Sequence, residues 1–300
     1  MVPTPARPGL PPEGLARELE RLLSEVAGSV DDAVAHAHPT PESLHQLHRE
    51  MRRLRHALTI WQRLLSARDR ALVGPLDQRL KRLARLVGRV RDRDVMLDLI
   101  EGGTLPAPSH RDAWAVARLR ARLRDDGRTG RELLRVYLRS ERDAHLFEGL
   151  RESVDFVPRR GAAPVLAHVL DREQRRRRAD VRAAQRRARR RPSSNRLHQL
   201  RIEVRRFRHL GEVRQRLNPA EGGPVSSTVR RLQSRLGRLH DLDLVIAGID
   251  PELLATDWGR ALRKERRRVR ASVRRSLKVT RWPKRALVGP APVPVRVAGS

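Results

Sequence analysis

Leu44 to Leu58 reads LHQLHREMRRLRHAL, and 153 residues later Leu197 to Gly211 reads LHQLRIEVRRFRHLG. No other feature restricts the fold so tightly. On a helix turning about 100° per residue, the first copy gathers His45, His48, Arg49, Arg52, Arg55 and His56 into an arc of roughly 120°. Leu47, Met51, Leu54 and Leu58 point the other way. In the second copy His198, Arg201, Arg205, Arg208 and His209 share one face, and Leu200, Val204 and Phe207 the other. Histidine recurs at the first and twelfth positions after the leading Leu, with arginines at matching places between. One cationic helix face is usually a solvated face. Two, with the same spacing of His and Arg, point to an anion held between guanidinium and imidazole groups.

A second element repeats after each copy. Leu83 to Val95, LARLVGRVRDRDV, aligns with Leu232 to Leu244, LQSRLGRLHDLDL, sharing L-x-x-x-[VL]-G-R-x-x-D-x-D. Lys81, Arg82, Arg85 and Arg89 fall on one side of the first of these helices. Arg231, Arg235 and Arg238 fall similarly on the second. Such basic sides are placed to face the cationic stripes and line a groove. Gly88 and Gly237 mark close helix approaches, since glycine in a helix interior costs about 1 kcal/mol against alanine. Asp92, Asp94, Asp241 and Asp243 are read as structural partners of the motif arginines, with catalytic or metal-binding roles as the competing reading.

Between these elements the pattern is helical throughout. Apolar residues at helical spacing predict helices over about 12–36, 41–66, 67–100, 110–125, 129–155, 163–191, 195–217, 226–249 and 252–277. Breaks are expected at His38–Pro41, Glu101–Gly103, Asp126–Gly127, Val157–Gly161, Pro192–Asn195 and Asn218–Pro224. Thr40 or Ser43 is the expected cap of the second helix. No alternating strand pattern appears, so the expected class is all-α. Two copies of one helical unit predict two pseudo-symmetric antiparallel bundles of the four-helix type, over 12–157 and 158–282. A disordered leader (1–11) and a disordered tail (283–300) complete the expected organisation.

Composition narrows the partner. The formal net charge is +31, and lysine occurs only at positions 81, 264, 278 and 284, so nearly all of the 66 basic residues are arginine. Such a field concentrates polyanions. Aromatic residues make up only 3% of the chain, leaving few platforms on which bases could stack. Without cysteine the chain has no disulfide, thiolate nucleophile or Cys-ligated zinc. No apolar run approaches the length of a membrane span, and no signal peptide is visible, so a soluble, cytoplasmic protein is expected. A repeated metal site built on His45 and His48 is excluded, because Arg201 stands where the second copy would need a histidine. His240-Asp241 resembles the dipeptide of HD-type phosphohydrolases, but the equivalent place in the first half is Arg91-Asp92.

The segments HQLHREMRRLRHAL and HQLRIEVRRFRHLG, each followed by G-x-x-x-D-x-D, resemble the CHAD family, the conserved-histidine α-helical domain, over about residues 12–280. The resemblance implies two four-helix bundles around a basic cavity, binding of inorganic polyphosphate, and localisation to polyphosphate granules. It implies site roles for His45, Arg52, Arg53 and Arg55, and for His198, Arg201, Arg205, Arg206 and Arg208. His48 departs from the family's usual arginine, and Arg49 stands next to it to supply the charge. Some relatives carry a fused triphosphate tunnel metalloenzyme domain with an E-x-E-x-K pattern. That pattern is missing here, so the chain is expected to bind polyphosphate without catalysis and without a cofactor or metal. Two competing functions stay open at this level. One is a basic nucleic-acid-binding or architectural protein; the other is a metal-dependent phosphohydrolase using His240, Asp241 and Asp243.

Overall fold

The computed structural model describes residues 12–36, 39–155, 162–217 and 227–282. The expected leader, tail, Val157–Gly161 boundary and Asn218–Pro224 loop lie outside or largely outside them. Among the described residues all regular structure is helical. The helices are α1 (Pro12–Ala35), α2 (Pro41–Trp61), α3 (Ala67–Glu101), α4 (His110–Asp143), α5 (Leu146–Val154), α6 (Ala162–Arg190), α7 (Ser194–Leu217), α8 (Ser227–Gly248), α9 (Pro251–Ala255) and α10 (Asp257–Val279).

Local chemistry explains three of the starts. The Thr40 hydroxyl accepts from the Ser43 backbone N–H at 3.1 Å, with Pro41 opening α2. Ser66 accepts from Asp69 N–H at 3.1 Å to start α3, and Ser109 accepts from Asp112 N–H at 3.3 Å to start α4.

Two expectations about breaks are corrected. Asp126-Gly127 does not end a helix: α4 runs unbroken from His110 to Asp143. The chain turns instead at His145, which has φ 51° and no glycine or proline beside it. Near the C-terminus, the expected single helix is two, α9 and α10, separated at Thr256. The Asp112 carboxylate accepts the Trp258 backbone N–H at 2.8 Å, fixing the start of α10 on α4. At Gly259 a Cβ would collide with the Leu254 backbone, so only glycine allows this close turn.

By compactness the chain groups into two units. The first takes residues up to Val169 together with Gly237–Ser272; the second takes Leu170–Leu236 together with residues from Val273 onward. In the first, α1 to α4 form an antiparallel bundle in which α2 lies between α1 and α3, while α4 closes against α3 and α1. Leu19, Leu23, Leu44, Leu47, Met51, Leu54, Leu80, Leu83 and Leu138 are fully buried there. A further core joins Met96, Ile100, Val116 and Leu119 to Leu242, Val245, Trp258 and Leu262. Each such side chain contributes about 1.5–3 kcal/mol when taken out of water.

In the second unit α6 is the common neighbour. Asp171 pairs with Arg214 of α7 at 2.7 Å, and Gln185 donates to the Leu277 and Thr280 carbonyls at the end of α10. Trp282 returns a hydrogen bond to Gln185 Oε1 at 2.7 Å and sets its ring edge-on to Phe207.

Candidate functional site

The apolar side of α2 dictates how its cationic side is presented. Leu44, Leu47, Met51, Leu54 and Leu58 are buried. His45 and Arg49 therefore emerge exposed, and His48, Arg52, Arg53, Arg55 and His56 half-buried. Two contacts then fix α2 against α3. Arg91 Nε donates to His45 Nδ1 at 3.1 Å. The His48 ring lies against Gly88, where an added Cβ would stand 3.3 Å from its Cε1. Three steps forward on α2 are matched by three steps back on α3. In that antiparallel register Arg52 is level with Ala84–Arg85, and Arg55 with Lys81. The two basic faces of this unit run side by side.

The stripe contains charges of several kinds. Among the described residues, Arg82 and Arg89 are exposed and make no hydrogen bond or ion pair. Lys81 pairs with the largely buried Asp77 carboxylate at 2.6 Å, and Arg85 donates to the Lys81 carbonyl at 3.3 Å. Arg53 turns toward α1, where its charge offsets part of the burial penalty that raises the Glu18 carboxyl above its usual range. At the α2 N-terminus the field changes sign. Burial, followed by Glu42 and Glu101, raises Asp98.

His45 is held below its ordinary pKa, first by desolvation and then by Arg91, Arg49 and Arg52. Its tautomer follows from its partner. A guanidinium N–H can only donate, so Nδ1 is the acceptor and the proton sits on Nε2. Neutral His45 therefore offers one N–H donor beside three guanidinium groups. Arg91 belongs to this site and was not among the sequence-derived residues. The clue was available, since Arg91 occupies the place that His240 holds in the other repeat.

The second motif helix, α7, is presented differently along its length. His198 is exposed, and Arg201, Arg205 and Arg208 are half-buried. Arg206 is exposed and paired with Glu203 at 2.7 Å. His209 is buried at 4% exposure, with Nδ1 2.8 Å from Glu212 Oε2. Arg208 meets the same carboxylate at 3.2 Å. The helical-wheel expectation that His209 shares the open face is corrected here. Leu210, Gly211, Val213 and Arg214 are buried too, so neighbours cover more of the last turns of α7 than of its start, with Arg216 left exposed.

On α8, Arg231 is exposed, Arg235 donates to the Ser276 hydroxyl, and Arg238 donates to the Thr104 carbonyl. Arg235 and Arg238 thus brace their own units. An added Cβ at Gly237 would meet nothing within 4 Å, so the close approach expected at both glycines is found only at Gly88.

The second aspartate of each repeat has a different partner from the motif arginines expected. Asp94 pairs with Arg131 of α4 at 2.5 Å, and Asp243 with Arg266 of α10 at 2.5 Å. Neither arginine belongs to a motif helix. In both repeats the second aspartate of D-x-D ties its helix to the next long helix. Gly127 leaves the space, because a Cβ there would lie 3.2 Å from Arg131 Nη1 and 3.5 Å from Asp94 Oδ1. Among the described residues no group of three or more His, Asp or Glu is placed to hold a metal ion. No described helix is long and apolar enough to cross a membrane.

An all-α chain that repeats a His/Arg helix followed by a G-x-x-x-D-x-D helix defines a class, and the comparisons with known proteins give that class a name. The CHAD domain model matches residues 15–249, and the chain belongs to the CHAD family. A crystal structure of the CHAD domain from the plant Ricinus communis has the same fold, with a TM-score of 0.60 at 20% identity. The match covers 90% of this chain and 92% of that one. No curated protein matches the chain.

Proposed function

We propose that this protein binds inorganic polyphosphate non-covalently, as a receptor for the polyanion and not as a catalyst. One observation carries the reading. Arg49 stands exposed on α2 beside the Arg91–His45 pair, and Arg82 and Arg89 stand exposed along α3 with no carboxylate partner among the described residues. Uncompensated guanidinium groups bind non-bridging phosphate oxygens in bidentate fashion. Neutral His45 adds a single N–H donor through Nε2. The carboxylates of Glu42, Asp98 and Glu101 repel an anion from one end of the stripe, so a chain extends from His45 toward Lys81. The unit built around α7 supplies His198, Arg201, Arg205 and Arg231 as a second set of donors. Family membership supports the same ligand, and recruitment to polyphosphate granules is the cellular role it suggests.

Competition between long-chain polyphosphate and duplex DNA, at equal phosphate concentration, tests the proposal. Polyphosphate wins if the reading is right, and Arg52→Glu/Arg205→Glu loses that preference. A preference for DNA overturns it in favour of an architectural nucleic-acid protein. Phosphate release from polyphosphate that chelator abolishes overturns the non-catalytic reading.

A further inference from the structure

A second concentration of cations lies on α6 and α10. In the second unit, the last turns of α6 and α10 flank a half-open cavity of about 390 Å³ lined by Arg186, Arg189, Arg190, Arg274 and Lys278, with Ala188 and Leu277 between them. It shares no residue with the α2–α3 stripe or with the cationic face of α7. Among the described residues no carboxylate lines it. Among the described residues, none of the five cations makes a hydrogen bond or ion pair, and all five are exposed.

This isolation contrasts with the rest of α6. Earlier in that helix, Arg177 meets Glu173 at 2.8 Å and Arg176 approaches Asp180 at 4.0 Å. After Asp180 the helix carries no acid, and α10 carries none after Glu265. Basic residues in a last turn complement a helix dipole, worth about 0.3–1 kcal/mol and fading within that turn. That accounts for Arg189, Arg190 and Lys278, but Arg186 and Arg274 stand further back. Five like charges around one concavity repel each other, and an anion relieves the repulsion.

The walls are fixed. Gln185, buried at 8% exposure, donates to the Leu277 and Thr280 carbonyls and accepts from Trp282 Nε1. These bonds lock the α6–α10 crossing beside the cavity, so binding needs no rearrangement of the helices. The volume falls within the range of about 300–1,000 Å³ found for small-ligand pockets. It suits a short run of linked phosphates more closely than one phosphate ion, which reaches only part of the ring of cations.

We infer that the α6–α10 cavity is a separate oligophosphate-binding site. It would hold a phosphate chain of a few units, independently of the α2–α3 stripe.

Calorimetric titration of the full chain with tripolyphosphate tests this. Arg186→Gln/Arg189→Gln/Arg274→Gln should lose one equivalent of bound tripolyphosphate, or weaken it at least tenfold. Exposed positions make the variant fold-neutral, which an unchanged melting curve verifies. Arg49→Gln/Arg82→Gln/Arg89→Gln should keep that equivalent. Hydrogen exchange supplies a second readout, with tripolyphosphate protecting the ends of α6 and α10 in the wild type and not in the cavity variant. Unchanged stoichiometry and affinity in the cavity variant overturn the inference. Displacement by orthophosphate, or by a thymidine oligonucleotide at equal phosphate concentration, overturns its selectivity for oligophosphate. Failure of the stripe variant to weaken long-chain binding would instead count against the proposed function and leave this site standing.

Discussion

Arg91 of α3 donates a hydrogen bond through Nε to Nδ1 of His45 on α2, at 3.1 Å. The contact joins the leading histidine of one repeated element to the other repeated element, and it fixes both the tautomer and the acidity of the imidazole. His45 is neutral near pH 7 because partial desolvation and three nearby guanidinium groups oppose its protonation.

Stability should therefore fall on mild acidification. The unfolded chain takes up a proton on His45 near the ordinary value of about 6.5, whereas the folded chain does so only at lower pH. The His45 contribution is complete above about 6.5 and is lost as pH falls from there through the lowered folded value. Melting temperatures between pH 7.5 and 5.5 should drop less in His45→Gln than in wild type. In Arg91→Gln the His45 resonance should titrate at higher pH, because one of the charges that depress it is gone.

Bound polyphosphate reverses the balance on His45, since the polyanion favours the imidazolium. Affinity should rise as pH falls from 8 to 6, with the share from His45 concentrated below about 6.5, where its lowered pKa places it. Binding below pH 6.5 should take up protons, seen as a buffer-dependent heat. A flat pH profile in the wild type would leave His45 with a structural role alone.

Salt should weaken binding steeply. By analogy with duplex DNA, about 6–10 phosphate contacts reduce affinity roughly 10³–10⁵-fold between 50 and 200 mM salt. Arg89→Gln should reduce the slope of log affinity against log salt by about one, with stability changed by less than about 0.5 kcal/mol. His209→Leu should do the opposite, altering the melting temperature and leaving that slope unchanged. An affinity indifferent to salt would rule out the electrostatic mechanism.

Arg131→Met should be costly because it leaves Asp94, a side chain only 8% exposed, without its partner. The expected loss is on the order of 3 kcal/mol at pH 7. Burial already outweighs Arg131 and raises Asp94 above its ordinary value of about 3.8. The folded chain thus binds the Asp94 proton more tightly than the unfolded chain. That contribution favours folding at low pH and is lost as pH rises through the raised value. Removing Arg131 raises it further, so acidification should restore part of the lost stability. Asp94→Asn/Arg131→Met should recover more, as measured by urea denaturation.

The all-α class, most helix bounds and the two repeated elements were legible because each depends on local spacing. Leu44, Leu47, Met51, Leu54 and Leu58 recur at helical intervals, and burial of that row is enough to turn His45 and Arg49 outward. The sequence also carried the pairing of each His/Arg helix with a D-x-D helix, and through it the family.

Tertiary structure decided what each charge does. His45 and His209 both sit on the polar side of their helices by periodicity, yet one is exposed and the other enclosed with Glu212. Rotation about one helix axis says nothing of how many neighbours surround a given turn. The choice of Arg131 and Arg266 as aspartate partners depends on helices far away in the chain, and so does the gathering of Arg186 and Arg274 around one cavity. Gly127, which looked like a break, instead leaves room for an ion pair. Periodicity is a property of one segment, whereas burial and charge pairing depend on how segments are brought together, and only packing settles that.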